Sequence, residues 1–428
     1  MGKLIRHNRV KIGIMALLSS LGAASLSHAS EPPRPAPLHY IGSVQLDPDA
    51  GWIGAGWTIL IKDPALDHID FSLTSAFGTA VVAGSGVKAM RSEIDPNSYG
   101  GARIYRVDLM PAEGGRPRRV KFAYAGPLFP EELLLPINSL DTDKIELTVD
   151  SDWFPFDARF DTKLTAQVNV RIDGDWTAIG LGNAERVQGG YRFTQEAPAL
   201  DIALALLSRS VVVKTDNYVI YDARPEPGTK VDELSDALAV CTTYLNGVAG
   251  PVGPLPPASI IITGRPEGSY ARGTLIALTD IENEDEESLR QFTCHELAHH
   301  WSHANPGGPD NWINEGFADH LGNMAVRDML GRDVFEARMA RYAEQLTEAG
   351  TEPIWTQGTT DRPTYLTLYR AAPMALRDLE AKMGEADFAA LMQQVMAGSV
   401  RTTPELMAMI EQLAGADMRD WFEVRLGA

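Results

Sequence analysis

The hydrophobic pattern of the chain changes character near Ser208. Between residues 39 and 205, short segments rich in β-branched and aromatic residues recur, separated by Gly, Pro and Asp. This spacing is typical of an all-β domain, either a sandwich or an open saddle of antiparallel strands. The segments are GWTILIK, HIDFSLTS, ARIYRVDLM, RRVKFAYAG, DKIELTVDS, LTAQVNVRI and GYRFTQ.

Beyond Ser208 the pattern predicts a mixed domain and then helices. SVVVKTDNYVIYDA supplies two strands, VDELSDALAVCTTYLNGV has helical periodicity, and IIIT and TLIALT are short apolar strands. From Glu284 onward nearly every segment is helical, with breaks at ANPGGPDN, GTEPIWTQGTTDRPT and GSVRTTP. We therefore predict an α+β multidomain protein, with an N-terminal antiparallel β domain over 39–207, a mixed domain over 208–345 and a helical C-terminal part over 346–428.

The first residues predict export. Four basic residues precede the apolar run IGIMALLSSLGAASL, which ends in SHAS. This order predicts a signal peptide over 1–29 and a Pro-rich leader over 30–38. The run is shorter than the roughly 20 apolar residues that a membrane anchor needs. We expect a periplasmic or secreted protein with no stable membrane anchor. The basic residues are Lys3, Arg6, Arg9 and Lys11.

The charge and the cysteine content limit the partners and the architecture. The chain has 38 basic and 57 acidic residues, and loss of the four basic residues of the signal would leave 34 − 57 = −23. So acidic a protein is a poor ligand for nucleic acid and for anionic membranes. The two cysteines are too few for a disulfide scaffold. Cys241 and Cys294 can form one bridge if their Cα atoms lie close enough.

The segment HELAHH contains three of the nine histidines. It belongs to EDEESLRQFTCHELAHHW, whose initial acids suit a helix N-terminus. Cys294, Leu297, Ala298 and Trp301 follow the spacing i, i+3, i+4 and i+7, so they predict an apolar stripe that faces the core.

His295 and His299 lie on the flank of this stripe, four residues apart. This spacing places two imidazoles one helical turn apart, where they can share one tetrahedral Zn²⁺ ion. Glu296 points about 100° away from His295. It is therefore outside the ligand set but can take a proton from a water bound to the metal and return it to a leaving amine.

A catalytic zinc usually has three protein ligands, so the site requires one more. The segment WINEGFADHLGNM has a second apolar stripe, and Glu315 and Asp319 share another face of that helix. A short Gly/Pro connection lets the two helices pack together, so Glu315 can complete a His, His, Glu site. The stripe consists of Ile313, Phe317, Leu321 and Met324.

His303 is a competing candidate for the third ligand. On a continuous helix it would lie about 12 Å along the axis from His295, too far for one ion to bind both. We predict that His300, His303 and His320 lie at the surface or support the ligands from outside.

HELAHHW followed by WINEGFADH resembles the gluzincin metallopeptidases, most closely the aminopeptidase-N family. The resemblance implies a thermolysin-like catalytic domain, zinc ligands at His295, His299 and Glu315, and a general base at Glu296. It also implies hydrolysis of a peptide or protein substrate. The 15 residues between His299 and Glu315 are fewer than the family usually has. We expect a short form without the family's large C-terminal helical domain.

Two further residues follow from this resemblance. Asp319 corresponds to the acid that thermolysin-like gluzincins place four residues after the ligand glutamate, where it hydrogen-bonds a zinc histidine and fixes its tautomer. YRAAPMALRDL resembles the family segment in which a tyrosine hydrogen-bonds the developing oxyanion, so Tyr369 is the candidate. Alternatively, Asp319 is a solvated helix acid, and Tyr365 and Tyr369 form one aromatic stripe.

One stretch departs from the family. GSYARGTLIAL, beginning at Gly268, resembles the GxMEN segment on the family's edge strand, whose glutamate binds the free α-amino group of the substrate. Ala271 and Arg272 stand where the family has Glu and Asn. The charged contact that makes such enzymes act from the N-terminus is therefore missing at position 271. Glu267, or a carboxylate from elsewhere, could replace it.

The sequence therefore predicts an exported zinc-dependent metallopeptidase, aminopeptidase-like by resemblance, with Gly268 and Ala271 lining the substrate site. Two alternatives stay open. One is a zinc endopeptidase with an open cleft, which the loss of the amine-binding glutamate favours. The other is a zinc-containing binding or scaffold protein without turnover, in which Glu296 would have no function.

Overall fold

The computed structural model describes residues 37–95, 101–128, 137–160, 162–226, 228, 230–266, 268–350 and 352–427. The predicted signal peptide, nearly all of the Pro-rich leader and Glu267 lie outside these residues. Within them the chain is α+β, with β-sheets in the N-terminal part and helices in the C-terminal part, as the pattern predicts.

The β part contains three sheets over the described residues up to 207. The predicted segments form β2, β3, β6, β7, β9, β11 and β14 below. The strands are β1 (Leu38–Asp47), β2 (Trp52–Ile61), β3 (His68–Thr74), β4 (Val81–Ala83), β5 (Val87–Ile94), β6 (Ala102–Leu109), β7 (Arg118–Pro127), β8 (Ser139–Leu140), β9 (Lys144–Leu147), β10 (Phe156–Asp157), β11 (Leu164–Arg171), β12 (Thr177–Gly180), β13 (Asn183–Val187), β14 (Gly190–Ala199) and β15 (Leu204–Leu207).

Two of these sheets form a sandwich. A seven-stranded sheet has the order β13-β14-β11-β1-β2-β7-β4, and a four-stranded sheet has the order β10-β3-β6-β5. In β1 and β7, buried and more exposed residues alternate, so one face of each strand lies in an apolar core that includes Tyr40, Trp57, Phe122 and Trp153. β1 and β11 pair in parallel, an exception to the predicted antiparallel arrangement.

The third sheet lies between the sandwich and the rest of the chain. Its order is β12-β15-β9-β8, and its residues Ile179, Ala205 and Leu207 pack against Ile261 and Leu275 of the following part. A buried ion pair lies at the same contact. Arg265 donates hydrogen bonds to both carboxylate oxygens of the fully buried Glu146. The β part is thus fixed to the sheet that supports the candidate site.

That supporting sheet has five strands in the order β16-β17-β18-β20-β19. β17, β18 and β20 run parallel, and β16 and β19 pair antiparallel at the two edges. Hydrophobic periodicity does not predict β19, although the resemblance places that stretch on an edge strand. The strands are β16 (Val211–Lys214), β17 (Tyr218–Asp222), β18 (Ala258–Ile262), β19 (Tyr270–Arg272) and β20 (Leu275–Leu278).

Helices cover one face of this sheet and share one hydrophobic core with it, which extends from Tyr218 to Leu426. No helix in the described part of the chain is long and apolar enough to cross a membrane. The helices are α1 (Val231–Ala249), α2 (Glu286–Ala298), α3 (Asn311–Leu330), α4 (Arg332–Ala349), α5 (Ala372–Met383), α6 (Glu385–Met396), α7 (Thr403–Ala414) and α8 (Ala416–Leu426).

A disulfide joins two of these helices. Cys241 of α1 and Cys294 of α2 are bonded, with their Cα atoms 5.1 Å apart, and both side chains are fully buried. Cys294 directly precedes His295, so the bond fixes α2 to α1 next to the candidate site.

Candidate metal centre

The HELAHH segment forms the end of α2 and a 3-10 turn over His299–Trp301. α2 begins where the Asp285 side chain accepts a hydrogen bond from the backbone N–H of Ser288, a typical N-cap. The predicted apolar stripe is buried, with Cys294, Leu297, Ala298 and Trp301 all at most 6% exposed. His299 is the C-cap of α2 and keeps helical backbone angles, so its ring lies one turn from that of His295.

The three predicted ligand residues meet at one point. The Nε2 atoms of His295 and His299 are 3.0 Å apart. Glu315 Oε2 lies 3.3 Å from His299 Nε2 and 3.6 Å from His295 Nε2. Among the residues that the structure describes, these are the His, Cys, Asp and Glu side chains whose donor atoms converge as a metal ligand set would.

The chemistry of these atoms fits a zinc ion. Glu315 Oε2 is buried and has no hydrogen-bond partner within the described part of the chain, although it faces two imidazoles. Two ring nitrogens and one carboxylate oxygen that point at a common position form the donor set typical of a catalytic zinc, with a fourth position left open.

Glu296 lies beside this set and is 9% exposed. Burial raises the pKa of Glu296, while the charges of His295 and His299 lower it. A carboxylate whose pKa lies above its usual range is a better base near neutral pH, so Glu296 has the environment of a general base.

Glu315 has the opposite balance. Burial alone would raise the pKa of Glu315, but the charge of His299 and contacts with both histidines hold it well below its ordinary value. Burial also lowers the pKa of His295, and Glu315, Glu296 and Asp319 outweigh this and raise it to about 9. The pKa values of the two neighbouring glutamates are therefore shifted in opposite directions. That of Glu296 is raised, as suits a base, and that of Glu315 is lowered, so Glu315 stays ionised.

α3 presents Glu315 through close contacts with its neighbours. The Asn314 amide exchanges hydrogen bonds with the backbone of Ala304, which fixes the connecting turn to the start of α3. Gly322 lets α3 approach α2, because a Cβ at this position would lie 2.5 Å from the carbonyl oxygen of Gln291. The short connection therefore suffices to bring both helices to the centre.

Asp319 lies beside His295, but the predicted hydrogen bond is not formed. Its Oδ1 is 3.8 Å from His295 Nδ1, beyond hydrogen-bond distance. The carboxylate instead accepts hydrogen bonds from Gln291, Asn323 and Tyr342. The alternative of a solvated acid is wrong, because Asp319 is 3% exposed.

Sequence reasoning missed these three partners. Gln291 is four residues before His295, and Asn323 is four residues after Asp319, so helical spacing alone could have identified both. Tyr342 comes from α4 and had no such local indication. Ser302, whose hydroxyl is 3.0 Å from His299 Nδ1, was also missed.

Tyr369 lies in a π-helical turn over Thr367–Ala371, just before α5. Its ring centroid is 5.7 Å from that of His295 and 4.8 Å from that of Tyr365, which is 62% exposed. Burial and the neighbouring carboxylates of Glu315 and Glu296 raise the pKa of Tyr369 well above its ordinary value. The hydroxyl therefore remains protonated and can donate a hydrogen bond. π-turns of this kind are frequent at functional sites.

The two predicted substrate-binding residues occupy different surroundings. Ala271 is on the edge strand β19, which packs against α2, and its side chain contacts the helical core. Gly268 precedes β19 with a φ of +85°, and a Cβ there would lie 2.6 Å from Ile137. Its carbonyl accepts a hydrogen bond from Arg265. Packing and a left-handed backbone therefore suffice to explain this glycine.

The remaining histidines of this region are not part of the cluster. His303 bonds the backbone oxygen of Met396 through Nε2 at 3.2 Å. His320 is 1% exposed and contacts Glu380 and Phe388, so the prediction that it lies at the surface or supports the ligands is wrong. His320 faces the opposite side of α3 from Glu315 because five residues separate them along the helix.

The chain is similar to known proteins in its fold. No protein-family model matches the chain, and no curated protein sequence matches it. Solved structures do match. An M1 zinc metallopeptidase from Deinococcus radiodurans has a TM-score of 0.66 at 17% identity, over 91% of this chain and 94% of that one.

A second match comes from yeast. Leukotriene A4 hydrolase from Saccharomyces cerevisiae has a TM-score of 0.68 at 13% identity, over 91% of this chain and 67% of that one. At such identities the likeness establishes a shared fold, which confirms the predicted α+β architecture.

Proposed function

We propose that this protein is a zinc-dependent metallopeptidase that hydrolyses peptide bonds. The observation that carries the proposal is the convergence of His295, His299 and Glu315, with Glu296 buried beside them. The shared fold adds support, because matched structures include an M1 zinc metallopeptidase bound to a Tyr-Ser-Ala substrate. The zinc-containing scaffold alternative gives no function to Glu296.

His295, His299 and Glu315 would hold one zinc ion, which lowers the pKa of a bound water and polarises a carbonyl oxygen. Glu296 takes a proton from the attacking water and returns it to the leaving amine. The Tyr369 hydroxyl donates a hydrogen bond to the oxygen on which negative charge develops. Asp319 joins α3 to α2 through the hydrogen bond from Gln291, and to α4 through the hydrogen bond from Tyr342.

The family resemblance favours an aminopeptidase, whereas one observation favours an endopeptidase. Ala271 on the edge strand beside α2 has no charge with which to bind a substrate's α-ammonium group. An enzyme that does not anchor the N-terminus accepts internal peptide bonds.

The proposal is tested by measuring zinc and peptide cleavage on the same preparations. We expect about one zinc per chain by elemental analysis. Cleavage of a peptide mixture should stop with a chelator and return with zinc. His295→Ala and Glu315→Ala should lose both properties, and His320→Ala, which removes a buried histidine outside the cluster, should keep the zinc. Stoichiometric zinc without cleavage of any peptide would favour the scaffold alternative.

We further propose that the protein is exported to the periplasm or the medium. The N-terminal pattern of basic residues, apolar run and small residues supports this, and so does the disulfide between Cys241 and Cys294, because such bonds persist in oxidising compartments. Cell fractionation and N-terminal sequencing should find an exported chain that begins at Ser30. A cytosolic chain with both thiols free would contradict the proposal.

A further inference from the structure

β19 is the strand edge nearest the candidate metal centre. It is the last strand of its sheet and packs against α2 and the 3-10 turn at His299. An edge strand offers a row of backbone N–H and C=O groups to which an extended peptide can add. The charges that border β19 therefore act on a substrate that lies along it.

Arg272, the last residue of β19, places its positively charged guanidinium group at this edge. Its Nη2 is 2.6 Å from Asp150 Oδ2, and its Nε is 3.1 Å from Asp201 Oδ2. Its Nη1 donates to the carbonyl of Ala271 at 3.1 Å, and the guanidinium lies 5.3 Å from the ring centroid of Tyr270. All three nitrogens of the guanidinium group are thus engaged, in a fixed orientation.

Both carboxylates come from the β part of the chain. Asp201 is 2% exposed and also accepts from the backbone N–H of Val149. The Asp150 side chain is 37% exposed, in a 3-10 turn over Val149–Ser151, and Thr148 donates to it. Burial alone would raise the pKa of Asp150, and the charge of Arg272 holds it below its ordinary value. The charge of Asp150 is therefore compensated within the protein.

This ion cluster lies beside the centre, because β19, which carries Arg272, packs against α2 and against the 3-10 turn at His299. Residues 271 and 272 therefore place a methyl group and a cation at the edge strand beside the site. A substrate ammonium group at this place would meet the charge of Arg272, and Asp150 would have to leave Arg272 to bind it.

We propose that Arg272, clamped by Asp150 and Asp201, takes the place of a substrate ammonium group, so that the protein cleaves peptides without regard to a free N-terminus. The preferred substrates are then internal bonds and N-terminally blocked peptides. This inference rests on the proposed peptidase function and specifies its substrate class.

The test compares one peptide with a free and with an acetylated N-terminus, using zinc-loaded protein. The quantity is the ratio of kcat/KM for the free peptide to that for the acetylated one. We expect a wild-type ratio within about threefold of one, since no charge-assisted contact to the ammonium is made. In Arg272→Gln, the ratio should rise at least about tenfold, because Asp150 then lacks its internal cation. Arg272→Lys keeps the charge and should keep the wild-type ratio.

Two results would overturn the inference. One is a wild type that prefers the free peptide more than about tenfold; loss of that preference in Asp150→Asn would then identify Asp150 as the group that binds the ammonium. The other is a ratio that Arg272→Gln leaves unchanged although the variant melts like the wild type and binds zinc. If Arg272→Gln fails to fold, the kcat/KM ratios of the wild type and of Asp150→Asn test the inference. A zinc-loaded wild type that cleaves neither peptide overturns the proposed function instead.

Discussion

Carboxylates of similar burial have different tasks at the centre because their neighbours differ. Glu315 faces two imidazoles and has its pKa held low, whereas Glu296, on the adjoining face of α2, has its pKa raised by burial. Asp319 receives three hydrogen bonds and supports the helices. The roles follow from the environment of each group rather than from its residue type.

Tyr369→Phe tests the role of the phenol. We expect kcat to fall by about 10- to 1000-fold with little change in KM, because the hydrogen bond acts on charge that develops in the transition state. Steady-state kinetics of both variants give the answer. Tyr365→Phe is the matched control, since Tyr365 is 62% exposed and one helical turn away. Equal losses in the two variants would remove Tyr369 from the mechanism.

Asp152 predicts a pH-dependent change in stability outside the site. Burial raises the pKa of Asp152 from 3.8 to about 7, against the opposing hydrogen bond from Ser72. Between these values the folded state keeps a proton that the unfolded state loses. This group's contribution to stability is therefore present below pH 3.8, decreases as the pH rises toward 7, and stays low above it.

We expect Asp152→Asn to be more stable than the wild type at pH 8, by about 2 kcal/mol after allowance for partial solvent screening. Asparagine tolerates the left-handed φ of +50° at this position. Urea unfolding of both proteins at pH 8 and pH 4.5 measures the difference, which should shrink at the lower pH. An equal gain at both pH values would show that the charge is not its cause.

At the scale of elements, the centre depends on how closely α2 and α3 approach. α2 buries its apolar stripe in the core, and α3, which is buried on nearly all sides, contributes Ile313 and Phe317 to the same core. The candidate ligands lie where the two helices face one another. α3 lies close to α2 at Gly322 and close to α5 at Gly316. A methyl carbon added at Gly322 would lie 2.5 Å from Gln291 O, and one added at Gly316 would lie 2.8 Å from Ala372 Cβ.

Gly322→Ala should separate α2 from α3 and so weaken zinc binding by about 10-fold or more, together with a loss of about 1–3 kcal/mol in the free energy of unfolding. Competition with a chromogenic chelator measures the first, and urea unfolding measures the second. Gly247→Ala on α1 is the control, because its Cβ would contact nothing within 4 Å. Wild-type zinc affinity in Gly322→Ala would contradict this account of the helix pair.

Across the whole molecule, features encoded within one short segment were predictable from the sequence, whereas contacts between distant segments were not. The ligand helix was predictable because its caps, its stripe and the spacing of His295 and His299 lie within one short segment. The Asp319 network was only half predictable, since Tyr342 comes from another helix. The pairing of Arg272 with Asp150 spans 122 residues and depends on how the β part docks, which periodicity does not encode.

Some strand pairings of the fold were also unpredictable, because they join segments that are distant along the chain. The β-branched and aromatic segments predicted seven of the fifteen strands described up to residue 207, yet the parallel pairing of β1 with β11 and the short β19 were not deduced from periodicity. Parallel partners lie far apart along the chain, and a strand of three residues is too short to show a period of two.

Metal removal should destabilise the folded chain as a whole, because the proposed ion would join α2 to α3 and would bind only the folded state. We expect the chelated protein to unfold at a lower temperature by differential scanning calorimetry. Added Zn²⁺ should restore the midpoint and added Mg²⁺ should not, since a site with two imidazoles disfavours magnesium. A midpoint that does not respond to either ion would contradict a structural contribution of the metal.

The function of Glu296 is tested by comparing turnover in Glu296→Gln with turnover in Glu286→Gln, which changes an exposed glutamate of the same helix. Both variants should contain zinc as the wild type does. We predict that kcat for a cleaved peptide falls by about 1000-fold or more in Glu296→Gln, which has lost the base, and is nearly unchanged in Glu286→Gln. Peptide cleavage at the wild-type rate by zinc-loaded Glu296→Gln would contradict the assignment of Glu296 as the base of a metallopeptidase.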